Sequence, residues 1–181
     1  GMKDLVADGN SVVFVDHDVQ ILSAADHLIE MGPGAGAAGG RLIAQGSVKN
    51  LSRDPTSFIG PFLLGKSVCV RTPVPESDVF SLGTIDLKTK AIHTVKPLHV
   101  RIPKGRLTVV TGVSGSGKTT LVLESLIPAL SSLVNNRALP EHVTSIEAPG
   151  ISAVKLIDAS PIGINVRSTV ATYANAVSYT H

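Results

Sequence analysis

The residues best suited to chemistry lie together at positions 112–119, which read Gly-Val-Ser-Gly-Ser-Gly-Lys-Thr. This segment matches the pattern G-x-x-x-x-G-K-[ST] at every fixed position, and it stands between an apolar run and an amphipathic stretch. Its glycines allow the backbone to curl so that successive N–H groups converge on phosphate oxygens. The segment therefore predicts a loop that binds the phosphates of a nucleotide.

Two side chains of this phosphate-binding loop have expected tasks. Lys118 would reach the β- and γ-phosphates, and the hydroxyl of Thr119 would coordinate Mg²⁺. The amino end of the following helix adds its dipole to the attraction for anions. The predicted nucleotide-binding residues are Gly112, Val113, Ser114, Gly115, Ser116, Gly117, Lys118, Thr119 and Thr120. The loop by itself does not separate ATPases from GTPases or small-molecule kinases.

A second candidate is His17, which follows the apolar run of residues 11–15. Ligand sites in open α/β sheets lie at the carboxyl ends of the strands, so this position suits a ligand contact, although a capping or solvated histidine is the alternative. Asp16 and Asp18 are expected to cap the next helix rather than to take part in catalysis. The other histidines have no metal-ligand spacing and are expected to be structural; they are His27, His93, His99, His142 and His181.

The elements that must position these residues follow from the apolar pattern. Strands are predicted at 11–15, 27–31, 41–44, 83–87, 98–102, 107–111 and 154–157. Helices are predicted at 18–25, at 47–51 with Ser47 as the cap, and at 118–130. No regular element is predicted for 131–150 or 168–181. The pattern indicates an α/β fold with a mostly parallel central sheet and an antiparallel β subregion.

Composition excludes several other classes of protein. The 181 residues include no Trp, two Tyr and four Phe, which argues against a stacking surface for single-stranded nucleic acid. One cysteine, Cys69, allows neither an intrachain disulfide nor a cysteine-rich zinc module. No apolar run reaches the roughly 18 residues of a membrane span, so a cytoplasmic protein without membrane contact is expected.

Charge is divided unevenly along the chain. Residues 1–65 carry four Lys/Arg and seven Asp/Glu, a net charge of −3, whereas residues 66–181 carry twelve and seven, a net charge of +5. No cluster of cations forms a candidate nucleic-acid groove. DNA binding by the chain alone is therefore expected to be weak and sensitive to salt.

The surroundings of the loop resemble a known family. Residues 109–121 resemble the second P-loop of the UvrA family, the damage-recognition ATPases of the excinuclease in bacterial nucleotide excision repair. Residues 158–163, Arg167-Ser168 and 171–173 are similar to the D-Q-S-P-I-G…P-R-S…A-T-Y segment of that family. Stretches at 15–18, 24–27, 32–36 and 39–40 resemble the end of its first nucleotide-binding domain.

The resemblance implies a fragment of two domains. Residues 1–65 would be the end of a first ABC-type nucleotide-binding domain, 66–80 a linker, and 81–181 the start of a second such domain. It implies ATP and Mg²⁺ as ligands, DNA as a partner of the longer parent, and His17 as the switch histidine. The family's signature loop and Asp-Glu pair are absent, and Ala159 replaces its loop glutamine. Efficient hydrolysis of ATP is therefore not expected.

The resemblance also implies a sheet order. The P-loop strand would lie between, and parallel to, the strand that precedes His17 and the strand after it, which gives a partial, circularly permuted P-loop fold. The sheet could close within one chain or by strand exchange in a homodimer through residues 66–80. The strand at 11–15 would be left at an edge, open to 154–157 or to another molecule. Two other functions remain open: a self-contained P-loop kinase or GTPase, and a non-enzymatic module for assembly or DNA contact.

Overall fold

The computed structural model describes residues 2–63, 71–157 and 170–173. Nine strands are described: β1 Ser11–Val15, β2 His27–Gly32, β3 Arg41–Gly46, β4 Thr84–Thr89, β5 Leu98–Pro103, β6 Leu107–Gly112, β7 Val143–Glu147, β8 Val154–Ile157 and β9 Val170–Tyr173. Five α-helices are described: α1 Met2–Ala7, α2 Val19–Ser23, α3 Val48–Arg53, α4 Gly60–Leu63 and α5 Ile127–Val134. Short 3₁₀ turns lie at Gly36–Ala38 and Glu76–Asp78. The mixed α/β class expected from the sequence is confirmed.

A six-stranded sheet carries the phosphate-binding loop. Its strand order is β3-β2-β6-β1-β9-β8, and β6 pairs in parallel with both β1 and β2. Val13 is opposite Thr108, and Leu28 is opposite Val109. The predicted central position of the P-loop strand between these two neighbours is confirmed, and all three strands belong to one chain.

The prediction that β1 lies at an edge of the sheet is wrong. β9 pairs in parallel with β1 on one side and with β8 on the other, so residues 154–157 do not touch β1 directly. β9 was not predicted because residues 168–181 show no period that marks a strand. A parallel strand between two neighbours needs no alternation of apolar and polar residues, and pairing with those neighbours determines its conformation.

The apolar strands separate two layers of core. Every residue of β1 is buried, which explains its unbroken run of Val and Phe. One core layer packs Val13, Ile29 and Val110 against the second sheet and the helix after the loop. The other packs Val12 and Leu28 against α2, α3 and α4. Burial of each such side chain stabilises the fold by about 1.5–3 kcal/mol.

The second sheet is antiparallel, with order β5-β4-β7. β5 alternates between buried Val100 and Ile102 and exposed His99 and Arg101, as a sheet with one solvated face requires. β7 forms in a stretch for which no element was predicted. Its pairing with β4 shifts register between Lys88 and Thr89, and this irregularity removes the strict alternation that would mark it in the sequence.

The helix predicted at 118–130 is divided into two kinds of turn. Thr120–Leu126 forms a π-helix, and α5 continues to Val134. The Ser125 hydroxyl donates a hydrogen bond to the carbonyl of Thr120 at 2.9 Å, five residues earlier. A widened turn of this kind occurs often at functional sites, and here it directly follows the phosphate-binding loop.

Part of the predicted linker is tied to the parallel sheet. Arg71 forms two hydrogen bonds of 2.8 Å with the buried carboxylate of Asp26, which also accepts from the N–H groups of Val74 and Leu107. Val79 is buried. Cys69 lies outside the described residues, and the domain boundaries at 65 and 80 stay predictions. Among the described residues, no helix is long and apolar enough to cross a membrane.

Candidate nucleotide-binding site

The phosphate-binding loop leaves β6 at the carboxyl edge of the parallel sheet. Gly112 has φ 145°, and a Cβ there would collide with the Met31 carbonyl oxygen of β2. Gly117 has φ 107°, and a Cβ there would lie 3.0 Å from Val95. Glycine is therefore required at both positions, because the loop must curl while it packs closely against its neighbours.

A second glycine-rich segment supports the loop from behind. The N–H groups of Gly36 and Gly40 donate to the carbonyls of Gly115 and Ser116 at 3.2 and 3.0 Å. The hydroxyl of Ser116 is fully buried and has no hydrogen-bond partner among the described residues. The backbone of the loop is therefore held in place by its neighbours.

The side chain of Lys118 folds back onto the first residues of the loop. Its ammonium donates to the carbonyl of Gly112 and, at 3.2 Å, to that of Val113. Burial lowers the pKa of Lys118, because partial removal from water disfavours the charged form. An anion at the loop would compensate for this loss of hydration.

His17 meets the loop in one cavity. The cavity has a volume of about 760 Å³. Its lining residues come from both halves of the chain: His17, Glu30, Met31, Pro33, Phe58, Ile59, Phe62, Thr94, Val95, Thr111, Gly112, Val113, Ser114, Gly115, Gly117, Lys118, Thr119 and Thr120. The predicted site residues are therefore brought together, except Ser116, which is buried beneath the loop.

The two aspartates beside His17 fix the backbone. Asp16 accepts from the N–H groups of His17 and Asp18 at 2.7 and 3.0 Å, and Asp18 caps α2 through the N–H of Gln20 at 2.8 Å. The predicted capping role is confirmed for Asp18. The His17 side chain is 63% exposed, and its Nδ1 lies 3.9 Å from the Asp16 carboxylate.

Sequence reasoning missed a wall of the cavity formed by residues 57–62. Glu30 of β2 accepts hydrogen bonds from the Ser57 hydroxyl at 2.5 Å, the Phe58 N–H at 2.9 Å and the Ile59 N–H at 3.2 Å. Glu30 and its neighbours belong to no chemical motif, and the contacts span 27–29 residues of sequence. The sequence offered one signal for this contact: an acidic residue, Glu30, inside a mostly apolar strand.

A polar chain follows the π-helix away from the loop. The Thr120 hydroxyl donates to Glu124 at 2.9 Å, and Glu124 also contacts His93 Nε2 at 3.1 Å. The hydrogen bond to His93 lowers the pKa of Glu124, and so does the one from Thr120.

Two other histidines also hold polar contacts: His142 contacts Ser125 at 2.8 Å, and His99 contacts Asp86 at 2.9 Å. Histidines 93, 99 and 142 thus hold structural contacts, as predicted, while His181 lies outside the described residues.

The described residues could coordinate magnesium together with a bound phosphate, but they do not form a metal site made of protein ligands alone. No group of three or more His, Cys, Asp or Glu among them could hold a metal ion. Magnesium commonly takes one or two protein ligands and completes its shell with phosphate oxygens and water. Thr119, the predicted ligand, lines the cavity beside Lys118.

A central parallel strand runs into a glycine-rich loop, and a cavity lies at the carboxyl edge of the sheet, so the chain has a mixed α/β fold with a candidate ligand site at that edge. Sequence comparison narrows this class. The chain is 39% identical over 175 residues to UvrABC system protein A from Thermus thermophilus, and 40% identical over 176 residues to that from Aquifex aeolicus. The matches cover 95% and 96% of this chain and 18% of each relative.

The chain thus matches a segment of UvrA-family proteins, and it spans about 18% of the length of these relatives. The resemblance read from the sequence is confirmed. A crystal structure of UvrA2 from Deinococcus radiodurans is 32% identical, with 81% of this chain and 17% of that chain covered and a TM-score of 0.40. No protein-family model matches the chain.

Proposed function

We propose that the chain is a nucleotide-binding segment of a UvrA-type ATPase and binds ATP or ADP with Mg²⁺ at residues 112–120. The observation that carries this proposal is the cavity in which the phosphate-binding loop and His17 meet. The curved loop backbone and the half-buried ammonium of Lys118 both favour an anionic ligand.

Each group has a role in this proposal. The N–H groups of the loop bind phosphate oxygens, and Lys118 neutralises their charge. Thr119 holds Mg²⁺, which would draw electron density from the terminal phosphate when bound. His17, at the carboxyl end of β1, contacts the terminal phosphate from the neighbouring strand.

Hydrolysis by the chain alone is proposed to be very slow. Glu30 is the one carboxylate among the described residues that line the cavity, and both of its oxygens accept hydrogen bonds from residues 57–59. It is therefore not placed to orient a water molecule. Phosphoryl transfer depends on positioning and on charge stabilisation, so this site favours binding over turnover.

We propose further that the sheet is a circularly permuted half-ATPase. Residues of β1 and β2 precede their partners in β6 by 95 and 81 positions, yet both strands flank β6 in parallel. The end of one domain would thus occupy the place of the missing end of the other. Two chains could form the same pairing by exchanging strands through residues 66–80. Such an exchange would give a dimer that light scattering detects across a dilution series.

The parent's role in nucleotide excision repair gives the segment its proposed context. In that context the longer protein contacts damaged DNA. The segment itself binds DNA weakly, because its sequence contains no cluster of Lys and Arg. A gel shift that shows nanomolar binding at physiological salt would contradict this part of the proposal.

Titration calorimetry with Mg-ATP and Mg-ADP tests the central proposal. Binding is expected for the wild-type chain and should be lost in Lys118→Ala. The matched control is Lys49→Ala, which removes an exposed lysine on α3 that does not line the cavity. Unchanged affinity in Lys118→Ala would show that the loop does not bind phosphate.

A further inference from the structure

Two phenylalanines project into the cavity and remain open to solvent. Phe58 and Phe62 are 61% and 62% exposed, the highest values among the large apolar side chains described. The other two phenylalanines have different positions: Phe14 lies in the core, and Phe80 packs edge-on against His27 with ring centroids 5.3 Å apart. The chain thus leaves aromatic surface exposed at the site itself.

The backbone that carries these rings is fixed to the strand beside the phosphate-binding loop. Glu30 holds the N–H groups of Phe58 and Ile59, and the Ser57 hydroxyl accepts from the N–H of Gly60 at 2.9 Å. Glu30 is itself opposite Thr111, the residue before Gly112. The anchor of the two rings and the start of the phosphate-binding loop therefore occupy neighbouring positions of the same sheet.

The cavity is larger than a phosphate site needs. A volume of about 760 Å³ falls in the range of pockets that enclose whole small molecules. Its lining combines the loop with the two rings and Ile59. A nucleotide combines an anionic chain with a flat aromatic base in the same way.

We propose that Phe58 and Phe62 form the nucleobase wall of the site, against which the adenine of ATP stacks. The inference rests on the proposed function, because the phosphates must first be held at residues 112–119. Stacking on aromatic side chains suits a base since it needs no directed hydrogen bond. Val95 also lines the cavity, but it is only 3% exposed and offers little surface for a base.

The first test uses fluorescence. The chain contains no tryptophan, so Phe58→Trp or Phe62→Trp introduces a single reporter. Its emission should change on saturation with Mg-ATP and should stay constant with Mg-tripolyphosphate, which has the phosphates without the base. Leu82→Trp replaces another exposed apolar residue, outside the cavity, and should respond to neither ligand.

The second test measures affinity by calorimetry. The double variant F58A/F62A should bind Mg-ATP about tenfold or more weakly. Its affinity for Mg-tripolyphosphate should equal that of the wild type, and Leu82→Ala should change neither affinity. Both replaced rings are exposed, so their removal leaves the core intact.

The outcomes separate the two proposals. Binding of ATP that depends on Lys118 but not on the two rings overturns the nucleobase wall and leaves the proposed function standing. An equal loss of ATP and tripolyphosphate binding in F58A/F62A also overturns it, because the rings would then act on the loop. If the wild-type chain binds neither ligand, the proposed function fails and the wall fails with it.

Discussion

The two ends of β2 each carry a buried carboxylate, and the two carboxylates act differently. Asp26, just before the strand, binds the guanidinium of Arg71 and two backbone N–H groups. Glu30, near the carboxyl end, accepts from three neutral donors of residues 57–59. Asp26 joins distant parts of the chain at the amino edge of the sheet, whereas Glu30 shapes a wall of the cavity at the carboxyl edge.

The difference shows how one strand can serve stability at one end and ligand binding at the other. An ion pair removed from water contributes little net stability when intact, but loss of one partner leaves an uncompensated charge. Hydrogen bonds from neutral groups to a carboxylate cost less to break, and here they determine where Phe58 lies. Changes at Asp26 should therefore affect folding, and changes at Glu30 should affect the site.

The largest effect is expected at the amino end of β2. Arg71→Ala should lower the free energy of unfolding by about 3–5 kcal/mol, because the fully buried Asp26 carboxylate would lose its cation. Urea denaturation followed by circular dichroism measures this change. The control is Asp8→Ala, an exposed acidic residue, which should change stability by less than about 0.5 kcal/mol.

A smaller effect is expected from pH at the same end of the strand. Burial lowers the pKa of His27 to about 4, because the imidazole is removed from water and neither of its ring nitrogens has a hydrogen-bond partner among the described residues. The unfolded chain binds this proton near pH 6.5, whereas the folded chain binds it only near pH 4. Stability is therefore highest above pH 6.5 and falls as the pH is lowered toward 4, by about 3 kcal/mol in total.

The acid sensitivity should decrease when His27 is replaced by phenylalanine, which can keep the edge-on contact with Phe80. Unfolding curves at a series of pH values from 7 to 4 measure the slope. His99→Gln is the control, since His99 is an exposed partner of Asp86. Equal slopes for wild type and His27→Phe would show that another group causes the loss of stability in acid.

The carboxyl end of β2 should show the opposite balance of stability and binding. Glu30→Gln replaces one acceptor oxygen by an NH₂ group and should lower the free energy of unfolding by about 1–3 kcal/mol. It should also weaken Mg-ATP binding, because the backbone of Phe58 loses a fixed position, while Mg-tripolyphosphate binding changes less. Calorimetry at a temperature where the variant is fully folded separates the two effects. If Glu30→Gln weakened only the binding of Mg-tripolyphosphate, Glu30 would not act through the position of Phe58.

The sequence predicts features that depend on neighbours along the chain. The Ser47 and Asp18 caps and the strands β1, β2 and β6 are of this kind, and each agrees with the structure apart from shifts at its ends. The wall at residues 57–62 needs a carboxylate about 28 residues away, and β9 needs β1 and β8 as partners. No local pattern of residues contains those contacts.

The smallest expected effect belongs to the cap of α3, the helix that precedes the wall. The Ser47 hydroxyl accepts from the N–H of Asn50 at 3.1 Å, so Ser47→Ala should lower the free energy of unfolding by about 1 kcal/mol. Ser47→Asp should restore it, because an aspartate oxygen can accept the same bond and favours a helix amino end. ATP affinity should stay constant in both variants, since Glu30 and not α3 holds the Phe58 backbone. Weaker ATP binding in Ser47→Ala that Ser47→Asp reverses would mean that α3 positions the rings, and the separation between the two ends of β2 would then be incomplete.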